Sequence, residues 1–137
     1  MGPRRRATRV LIVDDVEDNR RVYAMFLEHR GFDVESAADG RQALRKARAF
    51  LPDVIVMDLA IPGIDGWETT RRLKRDGRTQ GIPVIALTGY VVGGARERAR
   101  QAGCDAFLTK PCLPDRLVRE IRRLLRIRMP RLRRANP

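Results

Sequence analysis

The sequence predicts an α/β fold: one doubly wound sheet of five parallel strands with five helices. Three observations carry this. Short apolar, β-branched runs such as "VLIV" (10–13), "VIVM" (54–57) and "VIAL" (84–87) have the uninterrupted hydrophobicity of strands covered on both faces. Each is followed by a stretch with helical spacing, and strands alternating with helices imply βαβ units with right-handed crossovers. No internal repeat or low-complexity linker divides the 137 residues, a length suited to a single core.

The elements follow in order. "RVLIVDD" is the first strand, and in "VEDNRRVYAMFLEHRG" Val22, Met25, Phe26 and His29 recur at helical spacing before a stop at Gly31. "FDVESA" is a short second strand. "DGRQALRKARAFLP" is a helix with Ala43, Leu44, Ala47 and Leu51 along one stripe, ended by Pro52. "VIVM" is the third strand, and Asp65 is placed to cap a helix running from Trp67 through Leu73. "IPVIALT" is the fourth strand, and the fourth helix runs roughly from Val92 to Ala102, stopped by Gly103. "DAFLTK" is the fifth strand. Pro114 opens the last helix, with Leu117, Ile121, Leu124 and Leu125 inward. The domain is expected over residues 9–127, between basic tails at 1–8 and 128–137.

The charge is uneven. Four arginines and no acid precede Val10 (+4); nine arginines against Asp115 and Glu120 follow Leu113 (+7). The net +12 therefore leaves +1 for the stretch between, so the basicity belongs to the ends. No apolar run approaches the roughly 18 residues of a membrane span, and the basic start lacks the apolar segment of a secretory signal. Two cysteines without a CxxC pair, Cys104 and Cys112, and one histidine, His29, exclude a zinc framework and fit reduced cytoplasmic thiols. His29 reads as a helix-end residue without a chemical role.

In open parallel sheets ligands bind at the carboxyl ends of the strands. Here those ends carry Asp14 and Asp15 (first strand), Asp58 (third), Thr88 (fourth) and Lys110 (fifth). Asp14 or Asp15 alone reads as a helix cap, but two adjacent acids exceed what one cap needs. Lys110 is one of only three lysines, with Lys46 and Lys74, in a chain that otherwise uses arginine. Three carboxylates brought together repel one another. A hard divalent cation resolves that, and an oxygen-only set suits Mg²⁺, with Mn²⁺ as the alternative. Three negative charges against a metal and an ammonium form a site ready for a phosphoryl group, in which a carboxylate can be the nucleophile. The residues thus suggest that Asp58 attacks, Asp14 and Asp15 hold metal, and Lys110 and Thr88 grip phosphoryl oxygens.

"LIVDD", "VIVMDLAIPGIDGWE", "IPVIALT" and "GCDAFLTKP" resemble, in that order, the sequence blocks of response-regulator receiver domains of two-component signalling. The resemblance runs from about Val10 to Leu125. It implies the flavodoxin-like strand order 2-1-3-4-5 and a stand-alone, chemotaxis-receiver-like protein, since few residues follow the last helix. It also implies that Asp58 is the phosphoacceptor, charged by a sensor histidine kinase or a histidine phosphotransfer protein. Asp14, Asp15, Asp58 and the Ala60 carbonyl would form the metal site. Thr88 and Phe107 would be the switch pair, Ala60 and Tyr90 would tune hydrolysis towards slow to moderate, and the Lys110–Pro111 bond would be cis. Such a protein catalyses only its own phosphorylation and dephosphorylation. It presents its signal on the face of the fourth helix, fifth strand and fifth helix to a downstream partner or relay, and is a cytoplasmic monomer or weak phosphorylation-dependent dimer.

Competing readings fare worse. Arginine clusters bind phosphate backbones, but Arg119, Arg122, Arg123 and Arg126 also serve as the solvated face of the last helix, and 5% aromatics leave little for base stacking. Nucleic acid is therefore disfavoured as a partner, and an acidic protein or membrane surface ranks beside it. A haloacid-dehalogenase-like phosphatase resembles a DxD pattern, and Ala60 stands where its second acid would be. No GxGxxG follows the first strand, which removes a dinucleotide site. Trp67, beside the expected metal edge, is a candidate fluorescence reporter.

Overall fold

The computed structural model describes residues 6–89 and 91–128. Ten elements alternate: β1 (Arg9–Val13), α1 (Glu17–His29), β2 (Asp33–Ala37), α2 (Gly40–Phe50), β3 (Val54–Met57), α3 (Gly66–Arg75), β4 (Val84–Thr88), α4 (Ala95–Ala102), β5 (Ala106–Thr109) and α5 (Pro114–Arg128). The five strands form one sheet in the order β2-β1-β3-β4-β5, every pair parallel.

Alternation along the strands builds two cores. Leu11, Val13, Ile55, Met57 and Ala86 face one layer, with Ala43, Ala47, Leu73 and Ala99 from α2, α3 and α4. Val10, Ile12, Val54, Val56 and Ile85 face the other, with Leu27, Leu117, Ile121 and Leu124 from α1 and α5. Burying one such aliphatic side chain contributes about 1.5–3 kcal/mol, and β1 and β3 do so on both faces.

Three helical expectations need correction. On α1, Val22 is 57% and Met25 68% exposed, whereas Leu27 is fully buried. The packed stripe runs through Tyr23, Ala24 and Leu27, with Phe26 at its margin; burying Leu27 against the sheet and α5 outweighs burying Val22 and Met25, and the Tyr23 hydroxyl on the packed side donates to the Cys112 carbonyl (2.8 Å). On α2, Ala43 and Ala47 are buried and Leu44 packs beside them, but Leu51 leaves the stripe. It is the C-cap, at φ 49°, just before Pro52, where the following ring disfavours continued helix. The fourth helix begins at Ala95 rather than near Val92, because Gly94 takes φ 83°, outside helical space.

Asp65 accepts from Glu68 N (2.8 Å) and caps α3, while Asp39 accepts from Gln42 N (2.9 Å) and caps α2. At the ends of the described chain, Arg6 binds both oxygens of Asp53 (3.0 and 3.1 Å). The expected tail residues 129–137 lie outside the described residues.

Candidate functional site

The carboxyl edge of the sheet is built by single backbone bonds that carry the ladder one residue past each strand. Asp14 N donates to Ala37 O (3.1 Å), Asp58 N to Val13 O (2.9 Å) and Lys110 N to Thr88 O (2.9 Å). Each site residue is therefore anchored by its own main chain before its side chain makes a contact.

Asp58 is 7% exposed and Asp14 4%, whereas Asp15 faces solvent. One carboxylate oxygen from each of the three lies within 4.8 Å of those of the other two. Lys110 Nζ donates to Asp14 Oδ2 (2.7 Å) and Asp58 Oδ2 (3.0 Å). The other oxygen of Asp58 accepts from Thr88 Oγ1 (3.0 Å) and from Ala60 N (3.0 Å). Burial opposes the charge on Lys110, yet the hydrogen bonds to Asp14 and Asp58 and the attraction of both carboxylates outweigh it, so its pKa stands above the usual lysine value. Neither Asp14 nor Asp15 caps α1: the N-cap is Val16, and no side chain caps that end. Instead Asp14 accepts from Val16 N (2.9 Å) and Asn19 Nδ2 (3.4 Å), while Arg20 donates to its carbonyl (2.8 Å). Three acids converging at one edge form an oxygen-only donor set that could hold a hard divalent cation.

A model of the response regulator receiver domain matches residues 10–122. The chain belongs to the response-regulator receiver family. The polar-differentiation response regulator DivK of Brucella anthropi is 38% identical over 116 residues, covering 85% of this chain and 94% of DivK. Among solved structures, the chemotaxis protein CheY4 of Vibrio cholerae superposes with a TM-score of 0.81 at 31% identity, over 85% of this chain and 98% of that one. The receiver domain of the sensor histidine kinase PA1611 of Pseudomonas aeruginosa has a TM-score of 0.80 at 34% identity, covering 87% of this chain and 98% of its own; it carries a magnesium ion coordinated in its active-site cleft.

In this receiver domain the remaining expected residues sit as follows. Phe107 on β5 is half-buried, with the Arg96 guanidinium 4.8 Å from its ring centroid. Ala60 is exposed, and the Lys110–Pro111 peptide bond is cis. Tyr90 lies outside the described residues. Trp67 is buried in the first turn of α3, with Arg98 stacked 4.0 Å from its ring centroid. No helix among the described residues is long and apolar enough to cross a membrane.

Two supports of the site escaped sequence reasoning. A Cβ on Gly66 would stand 2.5 Å from both the Asp58 carbonyl oxygen and Leu59 Cα, so only glycine lets α3 start against the Asp58 loop. The clue was a glycine inside a first helical turn, where it is otherwise unfavourable. The Tyr23–Cys112 bond ties α1 to the segment after Pro111 across 89 residues, a contact with no local signature.

Proposed function

We propose that this receiver domain is the phosphoacceptor of a two-component phosphorelay and that Asp58 takes the phosphoryl group from a phosphohistidine of a sensor kinase or phosphotransfer protein. The observation that carries this reading is the setting of Asp58: a nearly buried carboxylate whose oxygens face an ammonium, a hydroxyl and a backbone N–H. A carboxylate oxygen attacks phosphorus; the P–O bond forms as the bond to the imidazole nitrogen breaks, and that nitrogen leaves with its electron pair and takes up a proton. Lys110 and Thr88, already bonded to Asp58, are placed to bind the transferred oxygens, so charge neutralisation requires little rearrangement.

The donor set fits Mg²⁺, which Asp14, Asp15, Asp58 and the Ala60 carbonyl would hold, with Mn²⁺ as the alternative. Such an ion, when bound, offsets the negative charge of the phosphoryl oxygens. Asp58 is then the nucleophile, Asp14 and Asp15 keep the acidic pocket, and Thr88 and Phe107 link its occupancy to the α4–β5–α5 face. That face would present the signal to a downstream protein. Incubation with acetyl phosphate and Mg²⁺ followed by intact mass tests this reading: one phosphoryl adduct is expected, absent without the metal and in Asp58→Asn. An adduct that persists in Asp58→Asn overturns the assignment.

A further inference from the structure

Arg20 stands in the first turn of α1, where the helix dipole disfavours a cation. Four acids, Asp14, Asp15, Glu17 and Asp18, precede it within six residues, yet among the described residues it pairs with no carboxylate. Glu17 is paired with Arg21 instead (3.9 Å). The half-buried Arg20 donates through Nη1 to a main-chain atom, the Asp14 carbonyl oxygen, at 2.8 Å. Helical side chains lean towards the N-terminus, which brings the guanidinium back over the turn before α1.

That carbonyl belongs to the peptide joining Asp14 to Asp15. The rest of the turn is already held: Asp14 N donates to Ala37 O (3.1 Å), and Val16 N to Asp14 Oδ1 (2.9 Å). Asp15 depends on this frame. Its side chain is exposed and has no hydrogen-bond or ion-pair partner among the described residues. Even so, one of its oxygens lies within 4.8 Å of oxygens of Asp14 and Asp58, against the mutual repulsion of three carboxylates. The direction of the Asp15 side chain is therefore set by the peptide plane before it, and Arg20 fixes the oxygen end of that plane.

We infer that Arg20 is a positioning residue, aiming Asp15 at a divalent cation through the Asp14 carbonyl, a role that rests on the reading of Asp14, Asp15 and Asp58 as the Mg²⁺ site. An arginine paired directly with one of these acids would compete with the ion for its oxygens; one bonded to the carbonyl leaves every ligand oxygen free. Asn19 is the weaker companion. Its Nδ2 reaches Asp14 Oδ2 at 3.4 Å, long for a hydrogen bond, and Lys110 already holds that oxygen at 2.7 Å.

Calorimetric Mg²⁺ titration of the full chain tests this with Arg20→Met, which keeps the stem and removes donor and charge, and Arg20→Lys, which restores a charged donor. Two effects oppose each other in Arg20→Met. Loss of a positive charge near three acids by itself tightens cation binding, whereas loss of the tether loosens it. Kd should rise about tenfold in Arg20→Met, and Arg20→Lys should recover most of the loss. Without metal, the amide resonances of Asp15 and Val16 should move in Arg20→Met while those of β4 stay in place. Arg20→Gln, too short to reach the carbonyl, gives the same readouts should the methionine variant not fold.

Tighter or unchanged Mg²⁺ binding in Arg20→Met, or no recovery in Arg20→Lys, overturns the positioning role. A parent chain that binds no Mg²⁺ removes the metal site and this role with it. Intact mass after acetyl phosphate separates the role from the phosphoacceptor reading. Weakened Mg²⁺ binding in Arg20→Met, with no adduct on Asp58 in the parent, keeps the positioning role and removes the phosphoacceptor. An adduct on Asp58 whose Mg²⁺ requirement is the same in parent and Arg20→Met keeps the phosphoacceptor and removes the positioning role.

Discussion

Lys110 donates its shorter hydrogen bond, 2.7 Å, to Asp14 and its longer one, 3.0 Å, to Asp58. The ammonium thus stands between the proposed nucleophile and an expected metal ligand, offsetting part of the negative charge that an ion would offset. Removing it should expose the competition. In Lys110→Ala the acids keep their places but lose a positive charge, so a divalent cation gains relative to the parent. Calorimetric titration should show Mg²⁺ binding about tenfold tighter, while adduct formation from acetyl phosphate slows. Weaker Mg²⁺ binding in this variant would show that the ammonium supports the metal site rather than competing with it.

Thr88 is fully buried and donates to Asp58 Oδ1 at 3.0 Å. Thr88→Val keeps the volume and removes the hydroxyl. The folded state should lose about 1 kcal/mol, the usual net contribution of one such bond, read as a lower urea midpoint at constant slope. Adduct formation at Asp58 should continue, but beryllofluoride should no longer move the amide resonances of β5. A full β5 response in Thr88→Val would take the hydroxyl out of the switch.

Gly66 supports the site through backbone alone. Both neighbours that its Cβ would meet, the Asp58 carbonyl oxygen and Leu59 Cα, are main-chain atoms and cannot rotate away. Gly66→Ala should therefore destabilise the domain by about 3 kcal/mol and, in molecules that still fold, slow phosphoryl uptake by displacing the Asp58 loop. Wild-type stability in chemical denaturation would contradict the close approach.

How far these features were legible from residue order differs between strands and helices. Strand positions such as Val54–Met57 were readable because both faces are buried and no choice of face arises. Their carboxyl ends then placed Asp14, Asp58 and Lys110 together once the sheet was parallel. Helix α1 was misread because two apolar stripes compete on it: Val22 with Met25, and Tyr23 with Leu27. The second is the one that packs, through Leu27 in the core and a Tyr23 bond to Cys112, long-range contacts that no local pattern announces. Leu51 and the start of α4 were misplaced for backbone reasons, a left-handed cap before Pro52 and a left-handed Gly94. Gly66 was invisible because its role is a contact with main chain already folded.

Alkaline pH should weaken the fold through Cys104. Burial pushes its thiol up to about 11 from 9.0, while the Thr70 hydroxyl opposes only part of that. The native thiol holds its proton where the unfolded one releases it, so the associated stability is complete below pH 9 and is lost as pH rises towards 11. The loss is on the order of 2 kcal/mol. Lys110, also raised, loses its hydrogen-bonded charge in the same direction as pH climbs above the usual lysine value. Urea midpoints measured through this window should fall, and Cys104→Ala should flatten the earlier part of the decline. An unchanged slope in that variant would assign the whole decline to other groups.

Between β4 and α4 the chain carries Gly93 and Gly94, and Val91 and Val92 are more than half exposed. Gly94, the N-cap of α4, sits at φ 83° and supplies no side-chain hydrogen bond, so the turn into α4 is closed by backbone alone, Ala95 N donating to Val92 O (3.0 Å). This turn follows Thr88 in the chain, and the Thr88 hydroxyl is bonded to Asp58. Drawing Thr88 towards a phosphoryl group should shorten the freedom of the following residues and order the entry to α4. Amide exchange at 93–96 should therefore slow several-fold with beryllofluoride and Mg²⁺, while the core amides of β1 and β3 stay unchanged. Gly94→Ala, strained at that φ, should cost about 1 kcal/mol and blunt the change. Equal exchange with and without the phosphoryl mimic would mean that the signal leaves Asp58 by β5 alone.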